Sequence, residues 1–206
     1  MKVLLINGSP HEKGCTYTAL TLIAGELNSA GIETEILNVG TKPVGGCIGC
    51  GGCRSGNGCV FGGVVNEAIE KAKTADAFVF GSPVHYASAA GNMASFMDRL
   101  AYAGGKYLAY KPAAVCCSAR RAGTTSTLDQ LVKYPQFFHM PLVNGSYWAM
   151  VHGSNPEQVL QDAEGCAVMQ ELGRNMAWLL RCIEAGKAAG IDHPQNPPRP
   201  MTSFIR

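Results

Sequence analysis

The chain has 206 residues, 47% hydrophobic and 16% charged, enough to bury a sizeable core and unlike the composition of a disordered chain. Lys plus Arg is 17 and Asp plus Glu is 15, a net charge of +2 that excludes a strong nucleic-acid or anionic-membrane footprint. Apolar runs are short, no signal peptide is legible at the start, and a cytoplasmic protein is expected, whose nine cysteines serve as metal ligands, redox groups or core residues rather than as disulfides.

Strands and helices alternate along the chain. Residues 2–7 form a short apolar run ending at Gly8-Ser9-Pro10, the pattern of a buried parallel strand that feeds a loop. Residues 16–30 carry Leu20, Ile23, Ala24 and Leu27 at helical spacing and stop at Gly31. A second strand is read at 33–39, followed by a loop of glycines and cysteines at 40–63, too long to be idle in a compact domain. A helix at 64–74 points Val65, Ala68, Ile69 and Ala72 inward, and a third strand at 75–80 ends at Gly81-Ser82-Pro83. Residues 90–102 form a helix with Met93, Phe96, Met97 and Leu100 on one face. A fourth strand at 112–118, a helix at 124–138 and a fifth strand at 142–148 follow.

The last helix is read as one element. It is capped by Asn155, starts at Pro156 and ends at Gly190, with an apolar face of Val159, Cys166, Met169, Leu172, Met176, Leu179 and Ile183. Beyond it lies a Pro-rich tail. The expected organisation is one domain over 1–190 and a tail over 191–206. Five strands alternating with helices predict an α/β, doubly wound parallel sheet, with the functional loops at the carboxyl ends of the strands.

The loop after the first strand runs from Gly8 to Thr16 and opens a helix whose free amides suit a phosphate. Ser9, Thr16 and Thr18 add hydroxyls. The Walker spacing is absent, because five residues separate Gly8 from Gly14 and Cys15 stands where that motif has lysine. The dinucleotide fingerprint is absent as well, with Pro10 in its path. What remains is a compact, nearly neutral anion loop suited to a monophosphate.

Cys47, Cys50, Cys53 and Cys59 follow a C-x2-C-x2-C-x5-C spacing among glycines. Three cysteines at such intervals wrap one face of a cube-shaped cluster and a fourth completes it. Three readings of this loop stand side by side: a [4Fe–4S] cluster, a zinc site, and thiols without metal. Cys116, Cys117, Cys166 and Cys182 are read as core thiols. Cys15 stands at a helix N-terminus, which lowers a thiol pKa, and is read as an inert loop contact.

Nearly the whole chain resembles a flavodoxin-like family, the NADPH-dependent FMN reductases and multimeric flavodoxins, including the iron–sulfur flavoproteins. The resemblance rests on Gly8-Ser9-Pro10 with Gly14-Cys15-Thr16, and on Gly81-Ser82-Pro83-Val84-His85-Tyr86 followed by Met93 and Phe96-Met97-Asp98-Arg99. It rests further on Ser118 to Gly123, on Tyr147-Trp148 with Val151-His152-Gly153, on Gly173-Arg174-Asn175, and on the terminal Thr202-Ser203-Phe204-Ile205-Arg206. It implies a flavodoxin-like five-stranded sheet in the order 2-1-3-4-5 and an FMN cofactor. Ser9, Pro10, His11, Cys15, Thr16 and Tyr17 would then hold the phosphate. Pro83, Val84, His85 and Tyr86 would border the isoalloxazine, and Ser118, Arg120 and Gly123 would close the other side. The resemblance also favours iron–sulfur ligation in the cysteine loop, although Gly62-Gly63 replaces an acidic pair of many relatives.

The implied function is an FMN-dependent oxidoreductase or electron-transfer flavoprotein. It would take electrons from NAD(P)H or a reduced carrier and pass them to a quinone, a flavin or another small acceptor. No side chain is assigned as a general acid. The alternative is a non-enzymatic flavodoxin-like carrier or redox sensor without a cluster. Small-molecule or protein redox partners and a homodimer or homotetramer are implied; nucleic acid and membrane are not.

Overall fold

The computed structural model describes residues 1–198, 200–202 and 204; Ser203, Ile205 and Arg206 of the terminal motif lie outside the described residues. In chain order the elements are β1 (Lys2–Asn7), α1 (Cys15–Ser29), β2 (Glu33–Asn38), α2 (Val64–Thr74), β3 (Ala77–His85), β4 (Ser88–Ala89) and α3 (Gly91–Gly104). Then come β5 (Ala113–Ala119), α4 (Thr124–Phe137), β6 (Met150–His152), α5 (Pro156–Val159) and α6 (Ala163–Ala188).

The strands β2-β1-β3-β5-β6 pair in parallel, in that order. This is the expected doubly wound order, with one two-residue strand added: β4 folds back antiparallel on the end of β3. Alternation along β1 decides the layers. Val3 and Leu5 face α1 and α6, whereas Leu4 and Ile6 face α2 and α3, and all four are at most 1% exposed.

Several expectations are corrected. Strand β3 does not stop at Phe80 but continues through Gly81, Ser82 and Pro83, which pair with Cys116, Cys117 and Ser118 of β5. The fifth strand is not at 142–148. Leu142 makes a single bridge to Ala113, the chain bows out, and pairing resumes at Met150–His152. Glu171 on α6 accepts from the Ser146 amide at 2.7 Å and Asn175 donates to Asn144 O at 2.8 Å, which holds the bow off the sheet.

The last helix is split. Asn155 does cap, accepting from the Gln158 amide, but the turn it starts ends at Val159, and Asp162 caps α6 by accepting from the Gly165 amide. The break shifts the helical phase, so the buried face runs Val168, Met169, Leu172, Met176, Ala177 and Leu180, with Leu179 and Ile183 only half-buried. Cys116 and Cys117 are buried as expected, but Cys166 is half-buried and Cys182 exposed.

Helices α1 and α6 approach closely at Gly173. A Cβ there would lie 2.7 Å from Ile23 O and 2.8 Å from Glu26 Cβ. In an open helix, Gly→Ala stabilises by roughly 1 kcal/mol. Here the obstacle is backbone, and overpacking costs about 1–3 kcal/mol. Gly173→Ala is therefore expected to lower the urea midpoint of unfolding; an unchanged or raised midpoint would show that the two helices have room to part.

Candidate functional site

The connection from β1 leads to β2 on one side and from there to β3 on the other, so the topological switch lies at the carboxyl ends of β1 and β3. A ligand crevice forms at such a point. Asn7 and Gly81 are paired there, and the Gly8 amide donates to Gly81 O at 2.8 Å. Asn7 is fully buried and organises the loop that follows. Its Nδ2 donates to Asn38 Oδ1 at 2.8 Å and to Glu12 O at 3.1 Å, and its Oδ1 accepts from the Ser9 amide at 3.2 Å. Ser9 Oγ in turn accepts from the His11 amide at 3.1 Å.

Helix α1 begins directly after this loop. Its first backbone bond runs from the Thr18 amide to Gly14 O, so the amides of Cys15, Thr16 and Tyr17 have no partner within the helix. These amides, at the positive end of a 15-residue helix beside the Ser9 and Thr16 hydroxyls, are chemistry that fits one phosphate group. Thr16 Oγ1 and Ser118 Oγ, both buried, share a hydrogen bond of 2.8 Å, which joins the loop after β1 to the end of β5.

Pro10 and His11 are exposed and Tyr17 is half-buried. Cys15 turns away from the loop mouth and donates to Gly153 O at 3.6 Å. Burial outweighs the helix terminus and pushes its thiol pKa up, the reverse of the expected direction.

The second loop is a tight hairpin. His85 pairs with Ser88, and the two residues between them, Tyr86 and Ala87, have φ of 49° and 58°. Positive φ at both central positions is the geometry of a primed turn, normally built from Asn and Gly. The strain is held in place by α4. Ser126 Oγ donates to Ala87 O at 2.7 Å, and Gln130 Oε1 accepts from the Ser88 hydroxyl and from the Ala89 amide. Pro83 and Val84 are half-buried, while His85 is exposed and the Tyr86 side chain projects fully into solvent. Gly123 packs directly under the hairpin, where a Cβ would meet Ala87 Cα at 2.7 Å. Ser118, Gly123 and the hairpin thus come together, whereas Arg120 and its neighbour Arg121 are exposed.

The cysteine loop lies beside these elements because α3 holds it. Asn92 Oδ1 accepts from the Val44 amide at 3.1 Å, and its Nδ2 donates to Gly40 O and Lys42 O. Seven residues later, two turns along α3, Arg99 reaches the far end of the loop at Cys59 and Gly62. Asn66 of α2 clasps Cys59 from the other side, accepting from its amide at 2.8 Å and donating to its carbonyl at 3.0 Å. Between these anchors Cys47 and Cys50 are exposed and Cys53 and Cys59 half-buried. Gly49 and Gly51, at φ of 66° and 71°, let the backbone curl between the thiols. Four thiols on one short loop are the donor set of a thiolate-held cluster. Among the described residues, however, no three His, Cys, Asp or Glu side chains converge on one metal-sized point, so the thiols are not gathered into a preformed cage.

The model for the family described as NADPH-dependent FMN reductase matches residues 1–155. The chain belongs to this family. An iron-sulfur flavoprotein of Methanocaldococcus jannaschii is 28% identical over 192 residues, spanning 89% of this chain and all of that protein. An iron-sulfur flavoprotein of Archaeoglobus fulgidus is 34% identical over 99 residues, 48% of each chain. Among solved structures, RosB with bound 8-demethyl-8-formylriboflavin-5'-phosphate superposes with a TM-score of 0.68 at 15% identity, covering 100% of this chain and 94% of that one. An archaeal flavodoxin superposes at 0.60 with 14% identity, covering 88% and 99%. The fold of this FMN reductase family member is flavodoxin-like. The family match ends at residue 155, so α5 and α6 lie beyond it.

Sequence reasoning overlooked Asn7, Asn66, Asn92 and Gln130. Asn7 carried a signal, a polar residue closing an apolar strand. The other three sit in amphipathic helices, where an amide side chain looks like any solvated position. A cavity of about 1140 Å3 lies elsewhere, at the amino ends of the strands, bordered by Met1, Lys111, Pro112, Ile191 and His193. It lies at the opposite ends of the strands from the crevice.

Proposed function

We propose that this family member is an FMN-dependent oxidoreductase that takes electrons from NAD(P)H or a reduced carrier. It passes them to a quinone, a flavin or another small acceptor by way of a [4Fe–4S] cluster held by Cys47, Cys50, Cys53 and Cys59. The observation that carries this reading is that one helix, α3, holds both ends of the cysteine loop and also abuts the flavin crevice. Its start is fixed by the Ala90 amide donating to Ser82 Oγ, and its Met93 packs on Gly8. The iron–sulfur naming of the relatives supports the same assignment.

FMN, when bound, supplies the hydride and electron chemistry; the protein supplies binding, orientation and exclusion of water. The Cys15, Thr16 and Tyr17 amides and the Ser9 and Thr16 hydroxyls bind the phosphate, with Pro10 and His11 covering its outer side. Pro83, Val84, His85 and Tyr86 border the ring system, which the rigid hairpin orients. Ser118, Arg120 and Gly123 close the third side. The exposed Tyr86 beside the crevice and the exposed Val60 and Phe61 of the cysteine loop support self-association into a dimer or tetramer, although a small docked redox partner would cover them equally.

The test is an absorption spectrum of anaerobically purified protein from iron-replete cells, read with iron and zinc analysis and chromatography of the released flavin. FMN with about four irons per chain is expected. FAD would overturn the cofactor. FMN without iron would remove the cluster and leave a cluster-less reductase. Anaerobic addition of NADH or NADPH is expected to bleach the flavin; failure with both would assign a protein donor.

A further inference from the structure

Arg99 is 6% exposed, and its partners are unusual for a buried cation. Nε donates to Cys59 Sγ at 3.2 Å, Nη1 to Gly45 O at 3.3 Å and Nη2 to Gly62 O at 3.0 Å, while the Phe61 ring lies 5.4 Å from the guanidinium carbon. Among the described residues, every polar partner belongs to the cysteine loop. No carboxylate is among them; the adjacent Asp98 is engaged instead by the Tyr134 hydroxyl at 2.6 Å. A guanidinium withdrawn from water without a counter-ion is costly, and buried charges are ordinarily paired. Negative charge carried by the loop would supply the counter-ion that these partners lack.

We infer that Arg99 is a positioning residue for the cluster, fixing Cys59 through an N–H···S bond and supplying the buried countercharge to the anionic, thiolate-held centre. The inference rests on the proposed cluster and adds an assignment to a residue on α3. Because the guanidinium joins Gly45, Cys59 and Gly62, it ties the beginning of the loop to its end. The thiols of Cys47, Cys50 and Cys53 are left on a tethered segment that can close around inorganic iron and sulfide. Hydrogen bonds and charge at the sulfurs set the potential of such centres. Arg99 thus makes reduction, which adds negative charge, easier.

Two variants separate position from charge. Arg99→Lys keeps the cation but loses the planar fork; Arg99→Met loses both. Retained FMN and an unchanged circular dichroism spectrum report that each variant is folded. In the metal-free protein, amide exchange read by mass spectrometry over 41–63 is expected to quicken at least tenfold in both variants, with exchange in β1 unchanged. In the anaerobically reconstituted protein, Arg99→Met is expected to shift the redox equilibrium of the cluster at least tenfold toward the oxidised form, about 59 mV more negative for one electron. Arg99→Lys should stay within threefold of the parent. Unchanged loop exchange in both folded variants overturns the positioning role, and equal potentials in Arg99→Met and the parent overturn the countercharge. If Arg99→Met does not fold, Arg99→Lys decides by loop exchange alone. If the parent protein itself takes up no iron, the cluster reading fails, and the loop exchange of the metal-free variants still decides whether Arg99 holds the loop.

Discussion

Cys50→Ala protein is expected to lose its iron, keep close to one FMN per chain and unfold at nearly the parent's denaturant midpoint when metal-free. The structural reason is location. The Cys50 thiol is exposed on a loop whose anchors are Asn92, Arg99 and Asn66, none of which touches Cys50. Truncating an exposed side chain away from such features changes stability by about 0.5 kcal/mol at most. The loops after β1, β3 and β5 owe their form to Asn7, Thr16, Ser118 and α4, which the substitution leaves alone. Loss of one of four thiolates removes a bond the cluster cannot replace, so iron is expected to fall from about four per chain to near zero after anaerobic reconstitution.

Cys117→Ala is the matching control. That thiol is fully buried, donates to Thr124 O at 3.6 Å, and has its pKa pushed up to about 12 by burial. It is inert as a ligand and contributes packing. Its loss is expected to cost roughly 1–2 kcal/mol of stability and no iron. The reverse pattern, iron retained in Cys50→Ala and lost in Cys117→Ala, would move the metal centre out of the loop.

How far the sequence carries depends on whether a feature is local. Helix α2 begins and ends where its pattern does, at Val64 and Thr74, because its apolar spacing and its connection into β3 are both local signals. The parallel order is legible for the same reason, since each apolar run was followed by an amphipathic helix. The bow at 144–148 is not legible, because it depends on Glu171 and Asn175 arriving from α6. The split between α5 and α6 turns on Asp162, whose side chain accepts from Gly165 and from the His152 amide at 2.7 Å; only the second of these lies outside the helix.

The site divides along the same line. Ser9, Thr16, Ser118 and the four cysteines stand in local motifs and are legible as candidates. The pins that bring those motifs together, Asn92 and Gln130, act across 40 or more residues of sequence. Arg99 stands in a stretch whose family resemblance implies the flavin, yet its contacts are with the cysteine loop. Cys15, read as an inert contact, shows a different limit. Its place at a helix N-terminus argues for a lowered thiol pKa, and only the packing against Gly153 reveals that burial dominates.

Ser9→Asp is expected to weaken FMN binding by a factor on the order of a hundred or more, the largest effect of any single substitution in the first loop. Ser9 is 3% exposed, and its Oγ accepts from the His11 amide. Aspartate can accept the same bond, so the turn is expected to survive. Directly behind the loop stands Gly40, where a Cβ would come within 2.3 Å of Ser9 O, so the backbone has no room to carry the new carboxylate backward. The charge then stays beside the phosphate. Two unit charges about 4 Å apart at an effective dielectric near 20 repel by roughly 4 kcal/mol, and each 1.4 kcal/mol is about tenfold in affinity. Ser9→Asn, of the same size but neutral, isolates the charge and is expected to bind within about tenfold of the parent. Titration of apoprotein with FMN, followed by quenching of flavin fluorescence, reads all three proteins. With riboflavin, which has no phosphate, parent and Ser9→Asp are expected to bind alike. Equal FMN affinity in parent and Ser9→Asp would place the phosphate away from the loop after β1.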